Sequence, residues 1–168
     1  MKLVVRALDD TANREAFNCG VDALDDWLLR QAGQAQRKRL ASVWIATPES
    51  QPQAIAGYYS LAPLQISFLE APPSLRKRLP RYPVAVSLIA RLAVDRRRQR
   101  RGLGEALVVD ALARSLAATR AVPTQAVVVH AKDDAAAAYY RRFGFMPFPT
   151  NPLQLYLPMA TVAAVGRR

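Results

Sequence analysis

Gln99, Gly102 and Gly104, spaced Gln-x-x-Gly-x-Gly, join an apolar run ending at Val94 to an amphipathic stretch beginning at Glu105. A junction of this kind suits the holding of an anion. Backbone N–H groups in the turn and the positive end of the following helix converge on one point, so an oxyanion is bound without a side chain for each oxygen. Gly102 and Gly104 let the backbone approach closely where a Cβ would stand in the way. The spacing lacks the Gly-Lys-Ser/Thr ending of a phosphate-binding NTPase and the third glycine of a dinucleotide fold. Taken alone, a glycine-bearing turn before a helix is more often only a turn.

The elements that must position this loop run without a linker or repeat. Residues 3–7 read as a first strand, and Cys19-Gly20-Val21-Asp22 as the start of a helix with Asp22 as its N-cap. Leu24, Trp27 and Leu28 follow at helical spacing, and a second polar helix runs through Arg37 and Lys38. Ser42–Ala46 and Ala54–Leu61 read as a hairpin pair. The proline-rich segment 71–83 reads as a short helix inside a loop. Val86–Val94, nearly continuous in apolar residues apart from Arg91, suits a central strand buried on both faces. A helix from about Leu103 to Ala118, a strand over 125–131, a helix around 134–142 and a terminal strand pair complete the pattern. The fold class expected is α/β (α+β), a mixed central β-sheet with helices on both faces.

Composition bounds the function. At 168 residues and 51% hydrophobic content, the chain reads as one domain over 1–168 with a real core. No apolar run approaches the length of a membrane span, and Met1–Arg6 reads as a strand rather than a signal peptide. The expectation is a cytoplasmic enzyme with no membrane partner. One cysteine excludes an internal disulfide framework, and one histidine argues against structural zinc, so no metal is expected. The formal net charge of +11 points to a polyanionic partner. Basic residues gather at Arg37-Lys38-Arg39, at Arg76-Lys77-Arg78 with Arg81, at Arg96–Arg98 with Arg100-Arg101, and at Arg141-Arg142. Any one run reads as a solvated surface; the set together favours nucleic acid.

Gln99–Gly104 resembles the pyrophosphate loop of the GNAT family, the N-acetyltransferases that use acetyl-CoA. Asp133-Asp-Ala-Ala-Ala-Ala-Tyr-Tyr140-Arg-Arg-Phe-Gly144-Phe145 resembles that family's second signature, a short helix carrying a Tyr before Gly-Phe. Further stretches narrow the likeness: Phe17–Gly20, Leu24–Leu28, Gly57-Tyr58-Tyr59, Leu79–Pro83, Arg91–Asp95 and Leu157-Pro158-Met159. These are similar to the GNAT toxins of bacterial toxin–antitoxin pairs, over nearly the whole chain. The resemblance implies acetyl transfer from acetyl-CoA to the α-amino group of aminoacyl-tRNA, which blocks translation. It also implies a ribbon-helix-helix antitoxin as partner, and leaves a homodimer open.

Site residues follow from the same resemblance. Leu92, Ala93 and Val94 would carry the thioester, with bulged backbone amides for the acyl oxygen. Gln99, Arg100, Arg101, Gly102, Leu103 and Gly104 would hold the pyrophosphate, helped by Arg97 and Arg98. Tyr140 takes the position of the general acid, against the plain reading of a core aromatic; Tyr139 reads as that aromatic. Asp133 stands where the wider family often has Asn against the coenzyme arm, but the Asp-Asp pair is also a good N-cap, and capping is the favoured reading. Contacts to tRNA would come from Arg76, Lys77, Arg78 and Arg81, with Arg37, Lys38 and Arg39 or Arg141 and Arg142. His130 reads as a polar strand end and Cys19 as a small buried hydrophobe. Two rivals remain: a GNAT enzyme for protein N-termini, lysines or small amines, and a non-enzymatic scaffold that binds nucleic acid or antitoxin.

Overall fold

A computed structural model of the chain describes residues 2–67 and 69–165. The strands are β1 (Leu3–Ala7), β2 (Ser42–Pro48), β3 (Gly57–Ile66), β4 (Val84–Val94), β5 (Ala126–His130), β6 (Met146–Phe148) and β7 (Asn151–Pro158). The helices are α1 (Asp22–Arg30), α2 (Ala32–Arg37), α3 (Pro73–Arg76), α4 (Leu103–Ala118), α5 (Asp134–Arg141) and α6 (Met159–Val165). The strands form one mixed seven-stranded sheet in the order β1-β2-β3-β4-β5-β7-β6, as the α/β expectation required. The chain divides into two compact units, residues 1–62 with 90–111 and residues 63–89 with 112–168.

In the first unit, β1 and β2 pair antiparallel from Leu3↔Pro48 to Ala7↔Trp44, and β2 and β3 from Ser42↔Leu61 to Ala46↔Gly57. The expected hairpin is therefore present. Its core is built on Phe17, Trp27, Leu28, Val43, Ile45, Tyr58 and Ala93. Trp27 stacks on Tyr58 with ring centroids 6.1 Å apart and planes within 9°, and Phe17 meets Tyr58 edge-on at 5.5 Å. Burying each such side chain contributes about 1.5–3 kcal/mol. Asp22 does not cap α1: the cap position falls on Val21, which makes no side-chain cap bond. Asp22 and Asp25 instead lie in the first turn, where carboxylates oppose the positive helix end. Gly57 is required by close approach, since a Cβ there would meet Leu107 Cδ1 at 2.9 Å and the Ala93 carbonyl at 3.0 Å.

In the second unit, β4 runs parallel to β5 from Ser87↔Val127 to Ile89↔Val129, and β5 pairs antiparallel with β7. Ala126 to Val129 are fully buried, which is why their run of β-branched residues has no polar alternation. The Ser74 and Tyr156 hydroxyls meet at 2.7 Å. The terminal helix α6 has no counterpart in the sequence reading. It starts where the Met159 N–H reaches the Gln125 carbonyl at 2.9 Å, a tertiary contact that local pattern does not reveal.

Candidate functional site

The Gln99–Gly104 loop is fastened from below before it presents anything to a ligand. Asp95, only 2% exposed, ends the β4 segment and caps a 3₁₀ turn over Arg96–Arg98. Its carboxylate accepts from the backbone N–H of Asn18 at 3.2 Å and of Arg97 at 3.0 Å, and from Arg97 Nε at 3.0 Å and Nη2 at 3.3 Å. Burial alone would raise its pKa, but these bonds outweigh that and hold the carboxyl below its ordinary range. The Gln99 side-chain amide donates to the carbonyls of Val94 and Cys19, both at 2.9 Å. Gln99 therefore braces the loop, and only its backbone remains for an anion.

Between these anchors the backbone turns left-handed at Arg100 (φ 63°) and Gly102 (φ 83°). A Cβ added at Gly102 would meet nothing within 4 Å. The space that glycine leaves is thus open, and it adjoins the first turn of the 16-residue α4, with Gly104 inside that turn. Leu103, Leu107, Val108 and Ala111 bury one stripe of α4 and fix its direction. Open space, unencumbered N–H donors and four nearby arginines fit a pyrophosphate well.

Leu92, Ala93 and Val94 occupy the last turnless stretch of β4, beyond the last registered pair with β5 at Ile89. Arg91 precedes them, its guanidinium 4.1 Å from the centroid of the Trp27 ring. Neither Asp95 nor Arg91 has a role assigned from the sequence. Asp95 carried a local signal as an acid at the head of an arginine run; Arg91 stood out only as a charge inside an apolar strand.

Tyr140 lies on α5, half-buried, with its ring edge-on to Tyr139 at 5.5 Å and to Phe145 at 5.8 Å. Burial, then the neighbouring Tyr139, pushes its pKa up to about 12. Among the described residues its hydroxyl makes no hydrogen bond. Gly144 (φ 100°) makes the left-handed turn after α5, and Phe145 then enters the core under the Tyr140 ring. This gives the Gly-Phe pair its physical meaning. Tyr139 packs between Tyr140 and Phe143, as the aromatic reading had it. Asp133 is the N-cap of α5, its carboxylate accepting from the Ala136 N–H at 2.8 Å.

His130 is exposed at the end of β5, and partial burial of its ring lowers its pKa below 6.5. Burial, then Asp25, pushes the Cys19 thiol up to about 11, so it carries no thiolate. The basic runs divide by where their charged side chains lie. Lys77, Arg78, Arg81, Arg37, Lys38, Arg39, Arg141 and Arg142 are exposed. Arg76 is turned inward, with Nε donating to the Ala71 carbonyl at 2.8 Å and Nη2 to Leu69 at 2.6 Å. It fastens its own loop. Among the described residues, no helix is long and apolar enough to cross a membrane.

Comparison with known proteins agrees with this geometry. A family model described as an acetyltransferase (GNAT) domain matches residues 39–147. A tRNA-acetylating toxin of Mycobacterium tuberculosis (strain ATCC 25618 / H37Rv) is 34% identical over 160 residues, covering 95% of this chain and 94% of its own. The solved structure of AtaT complexed with acetyl-methionyl-tRNAfMet is similar at a TM-score of 0.90 and 25% identity, covering 98% of this chain and 99% of that one. The structure of AtaTR bound with AcCoA is similar at 0.86 and 25% identity, covering 98% of both chains. With the family model matching residues 39–147 and a relative 34% identical over 95% of the chain, the chain belongs to the GNAT acetyltransferase family.

Proposed function

We propose that this protein transfers the acetyl group of acetyl-CoA to the α-amino group of aminoacyl-tRNA, in the cytoplasm, as a single-domain toxin over residues 1–168. One observation carries the reading: the GNAT membership extends, at 34% identity over 95% of the chain, to a relative named as a tRNA-acetylating toxin. The acetylated tRNA in the AtaT complex and the AcCoA in the AtaTR structure support the same acceptor and donor. A ribbon-helix-helix antitoxin is the partner this reading adds, and a homodimer its assembly.

Acetyl-CoA, when bound, supplies an activated acyl carbon and a thiolate leaving group. The backbone N–H groups of Gln99–Gly104 and the start of α4 would hold its pyrophosphate, with Arg98, Arg100 and Arg101 adding charge and Arg97, paired with the Asp95 carboxylate, adding less. The amides of Leu92–Val94 take the acyl oxygen and the arm. Tyr140 donates to the departing sulfur. With its pKa at about 12 the phenol keeps its proton across the neutral range. Outright loss of that proton to a thiolate of pKa about 8.5 runs uphill. Tyr140 therefore acts as a hydrogen-bond donor that passes on the proton shed by the attacking nitrogen. The amine needs little help: an α-amino group titrates at about 7.7–8.0, against about 10.4 for a lysine, so much of it is nucleophilic at neutral pH. Asp133 caps α5 through one carboxylate oxygen and takes no part in the proton transfer.

The test uses bulk aminoacyl-tRNA, labelled acetyl-CoA and purified protein, with Tyr140→Phe beside the wild type. Label on aminoacyl-tRNA, absent from deacylated tRNA and lost in the variant, is expected. Label on peptides or small amines alone would overturn the acceptor, and no turnover on any acceptor would leave a binding scaffold. Raising salt from about 50 to 200 mM should weaken tRNA binding by an order of magnitude or more, and a flat response would remove the phosphate contacts.

A further inference from the structure

Arg91 lies on β4 one residue before Leu92, and the chemistry above gives it nothing to do. Its guanidinium carbon sits 4.1 Å from the centroid of the Trp27 ring. Trp27 is itself fixed, buried and stacked on Tyr58, whose hydroxyl donates to the Leu24 carbonyl at 2.7 Å. The guanidinium thus has a rigid floor. Among the described residues it makes no hydrogen bond or ion pair. Burial lowers its pKa, with Tyr58 opposing, yet an arginine has no neutral form to retreat to near neutral pH. Ser60, two residues along β3 from Tyr58 and on the same face, is buried with an Oγ that also lacks a partner.

A half-buried cation without a counter-ion is costly unless something else supplies the negative charge. The ring covers one side of the guanidinium, and among the described residues none of its N–H donors is bonded, so the fork that takes a phosphate bidentately is available. The coenzyme does not supply that phosphate here. Its pyrophosphate belongs to the loop after Asp95, and at about 3.3 Å per strand residue Arg91 lies about 13 Å back along β4. The arm between is uncharged, so the anion comes from the acceptor. In an aminoacylated nucleic acid, the anion nearest the reacting amine is the phosphodiester on the 5′ side of the terminal nucleotide.

We infer that Arg91, held over the Trp27 ring, grips this terminal phosphodiester and is the positioning residue that separates an aminoacylated nucleic acid from a bare amine. The inference rests on the aminoacyl-tRNA reading above and names the part of the acceptor that is recognised.

Two small acceptors test it, both carrying the amino acid that the wild type acetylates on bulk tRNA. Aminoacyl-cytidylyl-adenosine contains one phosphodiester and aminoacyl-adenosine none. The wild type should show a KM about tenfold or more lower for the first. Arg91→Gln should raise that KM to the level of the second, leaving kcat, the KM for aminoacyl-adenosine and acetyl-CoA binding as they were. Arg91→Lys should recover part of the difference. On whole aminoacyl-tRNA, the slope of log K against log salt should fall by about one in Arg91→Gln. An equal loss on both small acceptors, or an unchanged salt slope, would make Arg91 a brace for Trp27 and overturn the inference. Wild-type protein that acetylates no aminoacyl-tRNA would overturn the acceptor reading itself, and Arg91 with it.

Discussion

The Asp95–Gly104 segment and the α5 helix each present a functional group, and they hold it by opposite means. The loop is tied by polar bonds: a buried carboxylate accepts four N–H groups from two residues, and a glutamine amide pins two carbonyls. Tyr140 is held by ring edges, against Tyr139 and Phe145, and among the described residues its hydroxyl makes no hydrogen bond. The difference follows from the tasks proposed for them. An anion cradle needs several donors fixed at once, which directional hydrogen bonds achieve. A single proton donor needs only its ring fixed, and packing does that without consuming the hydroxyl.

Tyr140→Phe keeps every ring contact and removes only the hydroxyl, so it divides the two modes most sharply. Turnover should fall by about 10²–10⁴-fold with acetyl-CoA affinity and thermal stability unchanged. A turnover within a few-fold of wild type would mean that the hydroxyl plays no part. Asp95→Asn reverses the profile. It should cost about 1–3 kcal/mol of stability and weaken acetyl-CoA binding, because the N–H groups of Asn18 and Arg97 lose a charged acceptor. The same carboxyl gives a pH signature. Its folded-state pKa is depressed from 3.8, so its stabilisation is complete above about pH 3.8 and is lost as pH falls through the lower folded value. Acid unfolding of the wild type should therefore be steeper there than that of Asp95→Asn, as followed by circular dichroism.

Gly102→Ala probes the cradle itself. The left-handed backbone makes any side chain cost about 1–2 kcal/mol, and the new methyl enters the space assigned to the pyrophosphate. Calorimetry should find acetyl-CoA affinity reduced beyond what the loss of stability explains; equal affinity would place the phosphates elsewhere. The smallest effect expected lies outside both regions. Arg39 follows α2 with φ 60°, its N–H bonded to the Gln36 carbonyl, a position that favours glycine. Arg39→Gly should raise stability by about 1 kcal/mol in denaturant titration, while removing one positive charge from a run assigned to tRNA.

Much of this was legible in the chain. Strand and helix periods gave α4 over Leu103–Ala118, β1 over Leu3–Ala7 and the β2–β3 hairpin, because each pattern is set by local burial alternation. The capping role of Asp133 was one of two readings open in the sequence, and it forms; the same logic failed at Asp22, where the helix begins one residue earlier than a cap requires. Arg76 was grouped with its basic neighbours, since nothing in composition tells a guanidinium that faces solvent from one that binds its own loop's carbonyls. The helix α6 escaped because seven mostly small residues carry little periodic signal.

By itself the sequence determined the order of the elements up to β7, the glycine-bearing turn, the tyrosine signature and the excess of positive charge. These depend on neighbours in the chain, where propensity, turn chemistry and spacing act. Tertiary structure alone decided that Gln99 braces the loop through Val94 and Cys19, that Asp95 is the buried anchor, and that Arg91 lies on Trp27 without a counter-ion. Each of those facts includes a contact between residues dozens of positions apart, which only the folded chain brings together.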